Sequence, residues 1–106
     1  MIGWLSGELK DANSNPILLS VNGVGYEVEL PLNYWENLNS HMLKNNNQNK
    51  LELYIHTHIR EDAQTLFGFF SEDQKQLFRE LIRVNGVGAK SALMILSTFD
   101  VSEFIK

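Results

Sequence analysis

The sequence contains no cysteine. That excludes disulfides and thiolate metal sites and fits a reducing compartment. No apolar run approaches the length of a membrane span, and the Met1-Ile2-Gly3-Trp4 start lacks the basic stretch and apolar stretch of a secretory signal. A cytoplasmic location is the expectation. The chain also lacks the basic excess usual in a general nucleic-acid binder: 9 Lys and Arg stand against 13 Asp and Glu, for a formal charge of -4. It has no Walker loop, no nucleophile-base pair and no paired catalytic carboxylates at a recognisable spacing. A non-catalytic protein without a cofactor is therefore expected.

What is present, in 106 residues of 43% hydrophobic content, suffices for one modest core or two small subdomains leaning on each other. Residues 2 to 9 read as a strand in which Gly3 and Gly7 mark bends or bulges. The cluster from Asp11 to Pro16 reads as a turn. Ile17 to Val21 and Val24 to Leu30 then flank Asn22-Gly23 as a hairpin, with Val24, Tyr26, Val28 and Leu30 on one face and Glu27 and Glu29 on the wet one. Tyr34, Trp35 and Leu38 read as core plugs on a short helical turn, and the Asn-rich stretch from Ser40 to Asn49 as a mobile loop. From Leu51 to Arg60 the alternation is clean: Leu51, Leu53, Ile55 and Ile59 are expected inside, and Glu52, Tyr54, His56, His58 and Arg60 outside. Thr65 to Phe70 makes a fifth strand. Five short strands with a plug between the third and fourth fit a barrel of the OB type. The predicted class is mainly β plus α, with a barrel domain over residues 1 to 70 and a helical domain over 71 to 106.

The helical part begins with Ser71 as N-cap and Gln74 as its capping-box partner. Leu77, Phe78, Leu81 and Ile82 form an apolar face, and Lys75, Arg79, Glu80 and Arg83 are expected outside it. A second helix opens at Ala89 or Lys90. Between the two lies Asn85-Gly86-Val87-Gly88, in which both glycines can take positive φ and leave no Cβ in the way of an approaching group. Free amides from Val87 through Lys90, the Lys90 charge and the Ser91 hydroxyl would make an anion site suited to a phosphate. The arrangement resembles the helix-hairpin-helix motif, whose contacts grip a nucleic-acid backbone without reading bases.

Val-Asn-Gly-Val-Gly occurs twice, at 21 to 25 and at 84 to 88, and only the flanks, one of period two and one helical, separate a plain β-turn from a phosphate site. Charge is divided as well. Residues 1 to 70 hold four basic and eight acidic residues, whereas 71 to 106 hold five of each. DNA binding would have to rest on local geometry at the second hairpin. His56 and His58, with His41 elsewhere, lack a third ligand at motif spacing and read as exposed strand histidines. Glu61-Asp62 reads as a solvated hairpin tip. Asp100 to Glu103 reads as the capped start of a further helix.

Met1-Ile-Gly-x-Leu-x-Gly, Val24-Gly-Tyr-Glu-Val, Arg60-Glu-Asp-Ala-Gln-x-Leu-Phe-Gly-Phe69 and Leu77-Phe-x-Glu-Leu-Ile-x-x-Asn-Gly-Val-Gly-x-Lys90 closely resemble the RuvA family of Holliday-junction-binding subunits. The resemblance covers nearly the whole chain except the Asn-rich loop. It implies an N-terminal OB fold and a helix-hairpin-helix domain, assembled as a homotetramer that holds a four-way junction open in recombination and repair. It also implies that the protein loads the RuvB motor without hydrolysing ATP itself and works alongside the RuvC resolvase. By position, Asn85, Gly86, Val87, Gly88, Ala89, Lys90 and Ser91 would contact a DNA backbone, and Glu61 and Asp62 would form an acidic pin at the junction centre. Family members continue into a second helix-hairpin-helix and a RuvB-binding domain, and this sequence stops before both. Weaker, more salt-sensitive junction binding and no RuvB stimulation are the expectations for this length.

Three other readings stay open on residues alone. An OB-type single-strand binder would use Tyr54 and Trp4 as stacking platforms. An enzyme would be a helix-hairpin-helix glycosylase or nuclease fragment; the glycosylase would need a Gly/Pro-rich loop and a catalytic Asp after the second helix, and Asp100 stands instead at a helix cap. In a protein-interaction module, Gly86 to Lys90 would only close a turn.

Overall fold

The computed structural model describes residues 1–38 and 49–98. The elements in order are β1 (Trp4–Asp11), β2 (Ile17–Val21), β3 (Val24–Glu29), α1 (Leu32–Glu36), β4 (Lys50–Ile59), β5 (Gln64–Phe69), α2 (Glu72–Ile82) and α3 (Ala89–Thr98). The strands close into a barrel in the order β1-β2-β3-β5-β4. Every pairing is antiparallel except β3 with β5, where Val28 lies opposite Leu66. Closure leaves no unpaired sheet edge, and the expected five-stranded OB-like barrel is the observed one.

Alternation in the strands fills the barrel. Leu5, Ile17, Leu19, Val28, Leu51, Leu53, Ile55, Phe67 and Phe69 point inward and are buried. The plug between β3 and β4 is α1, with Tyr34 and Leu38 buried and the Trp35 indole donating to the Ala12 carbonyl at 2.9 Å. In β1 the irregularity lies between Leu9 and Asp11 rather than at Gly3 or Gly7. The glycine at 7 serves a different purpose: a Cβ there would run into the Ser20 carbonyl of β2.

Two positions depart from the alternation. Val24 is exposed because the strand leaves the barrel at its turn. Ile59, expected inside, is 56% exposed because β4 has by then run past the barrel end. Thr57, on the same inward face as Ile55, is buried and satisfies its hydroxyl on the Ile2 carbonyl at 2.7 Å.

Two residues join β5 to α2. Ser71 Oγ accepts from the Gln74 amide at 3.3 Å, and Gln74 Oε1 accepts from the amides of Ser71 and Phe70 at 3.1 and 2.8 Å. The capping box thus starts the helix where the sequence places it, an arrangement worth about 1 kcal/mol. Phe78, fully buried, lodges α2 against the barrel, its ring centroid 5.2 Å from that of Phe67 and 5.0 Å from that of Phe69. Truncating it to Ala would cost about 3–5 kcal/mol. Lys75 corrects the expected helix face. It is buried, and its ammonium donates to the Gly3 carbonyl at 3.3 Å, because α2 lies over the start of β1. Ala89, Ala92, Leu93 and Leu96 turn α3 toward the same core. The Asn-rich stretch up to residue 48, His41 and the expected Asp100–Glu103 cap lie outside the described residues. Among the described residues no helix is long and apolar enough to cross a membrane.

Candidate nucleic-acid interface

After α2 the chain turns within a few residues. The Val87 amide donates to the Val84 carbonyl at 3.1 Å, with Gly86 at φ +86° in the third position, as a type II turn requires. Two sequence expectations change here. Gly88 does not enter the left-handed region, and the Val87 amide is spent on the turn. The open donors therefore begin one residue later. No acceptor among the described residues takes the amides of Gly88, Ala89, Lys90 or Ser91, whereas the Ala92 amide already bonds to Gly88. These are the orphan donors at the start of α3, at the positive end of its dipole.

The surroundings keep that end accessible. Asn85, Gly86, Gly88, Lys90 and Ser91 are exposed, while Val87 packs against the core and Ala89 is buried, which anchors the turn. Among the described residues, a Cβ built on Gly86 or on Gly88 meets nothing within 4 Å. Gly86 is still required by its φ. At Gly88 neither φ nor, among the described residues, internal packing demands a glycine, and the space beside it is open.

Lys90 does not stand free. Its ammonium contacts Glu29 Oε1 at 2.8 Å, reaching from α3 to the last residue of β3. Glu29 was expected on the wet face of its strand, yet its side chain is only 15% exposed, since α3 covers it. No local pattern announces this, because the partner is 61 residues away. A second tie, from the Leu32 amide to Ser97 Oγ at 2.7 Å, spans a groove of about 460 Å3 between the barrel and α3. Together they fix the direction in which the α3 N-terminus points.

Glu61 and Asp62 occupy the exposed tip between β4 and β5, closed by the Arg60 amide on the Ala63 carbonyl at 2.8 Å. Among the described residues neither carboxylate forms an ion pair, and neither is bonded to the α2–α3 turn. They form a separate acidic point. Farther along β4, His56 Nδ1 accepts from Arg79 Nε at 3.1 Å and His58 Nε2 from Arg60 Nε at 3.2 Å. The His56 pKa is lowered, first by burial and then by the charges of Arg79, His58 and Lys75. Both rings act as acceptors to guanidinium groups, and among the described residues no group of three or more His, Cys, Asp or Glu could hold a metal ion. Trp4 and Tyr54 lie directly opposite each other across β1 and β4, on the outside of the barrel.

Comparison with known sequences adds the family context. Residues 1–68 match the family model described as the RuvA N terminal domain. A protein of Legionella pneumophila (strain Corby) named Holliday junction branch migration complex subunit RuvA is 46% identical over 107 residues, covering 100% of this chain and 51% of the relative. Its namesake in Thioalkalivibrio sulfidiphilus is 48% identical over 104 residues, 98% of this chain and 49% of the relative. That of Pseudomonas fluorescens is 43% identical over 106 residues, 100% of this chain and 50% of the relative. The chain spans about half the length of the curated relatives it matches.

Proposed function

The chain belongs to the RuvA family, and on that premise we propose that it binds four-way DNA junctions as the non-motor subunit of a branch-migration complex. The observation that carries this reading is the α3 N-terminus: four amides without an acceptor among the described residues, behind a glycine whose Cβ would meet none of those residues, beside the Lys90 ammonium. A phosphate oxygen accepts from such amides with the helix dipole in its favour. The contact ignores base identity, so it holds a DNA arm wherever a backbone runs past.

The division of labour follows the charges. The domain of residues 71 to 106 grips, and the barrel of residues 1 to 70 supplies Glu61 and Asp62 as an acidic pin that repels phosphates at the crossover and keeps the arms apart. Repulsion reaches about one Debye length, ~10 Å at moderate salt, so the pin discriminates between backbone geometries close to it. Several copies around one junction, as a homotetramer, would place a pin and a hairpin on each arm. In the cytoplasm the partners would be the RuvB motor, to which the family member directs the junction, and the RuvC resolvase.

A single-strand-binding reading has one observation in its favour, the Trp4 and Tyr54 pair on the barrel wall, which could stack bases. A gel-shift titration separates the two. Four-way junction, matched duplex and single strand are titrated at two salt concentrations with the chain and with Lys90→Glu. Junction-selective binding that salt and the substitution both weaken supports the proposal. Preference for single strand that Trp4→Ala abolishes and Lys90→Glu leaves intact would replace it.

A further inference from the structure

The ion pair between Lys90 and Glu29 has a consequence for the phosphate site, and the inference rests on the reading just given. Lys90 is the mobile member: its side chain is 78% exposed on a flexible stem, whereas that of Glu29 is 15% exposed. The backbone at Glu29 is fixed as well, because the next residue, Leu30, is held in both directions by the Asn15 carboxamide, at 2.9 Å to its amide and 2.6 Å from its carbonyl. One Glu29 oxygen takes the Lys90 ammonium, and the other, Oε2, is buried without a hydrogen-bond partner among the described residues. The carboxylate thus depends on Lys90 for its counter-charge and cannot follow Lys90 outward.

We propose that Glu29 is an internal competitor for DNA phosphate, a specificity-determining residue that holds down the affinity of each hairpin for a single backbone contact. A phosphate arriving at the amides of Gly88 to Ser91 must draw on the same ammonium that balances Glu29. When Lys90 turns to the DNA, an uncompensated carboxylate remains beside the phosphate. When Lys90 stays with Glu29, the hairpin offers its amides and little net charge. Either way a lone contact, such as random duplex provides, is weak, and tight binding requires several hairpins on one substrate.

The test is fluorescence-anisotropy titration of labelled four-way junction and labelled duplex across a salt series, with the unaltered chain, Glu29→Gln, Glu29→Asp and Lys90→Gln, each checked for folding by its urea midpoint. Glu29→Gln keeps the shape and removes the charge. It should tighten binding to both DNAs at low salt by about two- to five-fold, the scale of an ion pair whose lysine is solvent-exposed. It should also steepen the fall of log affinity with log salt by about 0.9 for each hairpin engaged, as one further phosphate is neutralised. Glu29→Asp, shorter by one methylene, should give a smaller gain in the same direction. Unchanged or weaker binding by Glu29→Gln, with Lys90→Gln weakening it, would overturn the inference and leave the phosphate site standing. Unchanged binding by Lys90→Gln would overturn both.

Discussion

The same five residues, Val-Asn-Gly-Val-Gly, take two shapes in this chain, and the difference separates a plain hairpin turn from the candidate phosphate site. At 21 to 25, Asn22 and Gly23 both have positive φ, +51° and +86°, and Val21 pairs with Val24, which is a two-residue type I′ hairpin between β2 and β3. At 84 to 88 only Gly86 has positive φ, and the turn delivers the chain into α3. The second glycine diverges too. A Cβ at Gly25 would come within 3.1 Å of Leu18, whereas at Gly88 it would meet nothing within 4 Å among the described residues. In the first copy the backbone pairs across the hairpin, in the second it faces outward, and the residue two places on is Glu27 in one and Lys90 in the other.

The sharpest way to break this comparison exchanges those two charges. Lys90→Glu gives the second copy the charge of the first and should weaken junction binding by about 10- to 100-fold, the worth of a hydrogen bond to a charged group. Glu27→Lys should change binding by no more than about twofold, since one exposed charge away from open amides makes no site. Next come the turn glycines. Gly23→Ala and Gly86→Ala each force a side chain into the left-handed region and should each cost about 1–2 kcal/mol in urea unfolding. Only Gly86→Ala should also weaken DNA binding. Gly88→Ala should change stability by less than about 1 kcal/mol and still reduce junction affinity, because its methyl group occupies the approach.

The smallest effect is one of pH. Because the folded-state pKa of His56 is depressed, the unfolded chain takes up its proton first as pH falls. The stability associated with a neutral His56 is full above its ordinary value near 6.5 and is lost as pH falls through the lower folded value. His56 accepts from Arg79 of α2, so acidification should loosen the helix leading into the second copy and spare the β2–β3 hairpin. Amide exchange compared at pH 7 and pH 5 would show faster opening in α2, and His56→Gln would flatten the change.

Much of this was legible in the sequence because it is local. Alternation marks the strands, Ser71 and Gln74 fix the start of α2, and the flanks of each pentapeptide select its turn. What was not legible depends on contacts between distant segments. Lys75 carries a charge at a position the helical period leaves outside, and only the Gly3 carbonyl beneath it accounts for its burial. Ile59 continues a perfect alternation beyond the end of the barrel that would have covered it. Glu29 alternates to the wet face of its strand, and nothing near it announces that α3 will lie there. The candidate site shows the same split: Gly86, Gly88 and Lys90 stand out as a motif, while the carboxylate that tempers Lys90 is visible only in three dimensions.

Amide chemical-shift perturbation on adding four-way junction DNA to the nitrogen-labelled chain tests the phosphate site most directly. The second copy should respond, with the amides of Gly88, Ala89, Lys90 and Ser91 moving most and those of Val21 to Gly25 staying in place. Shifts centred on the first copy or on the barrel wall at Trp4 and Tyr54, with Gly88 to Ser91 unmoved, would contradict it.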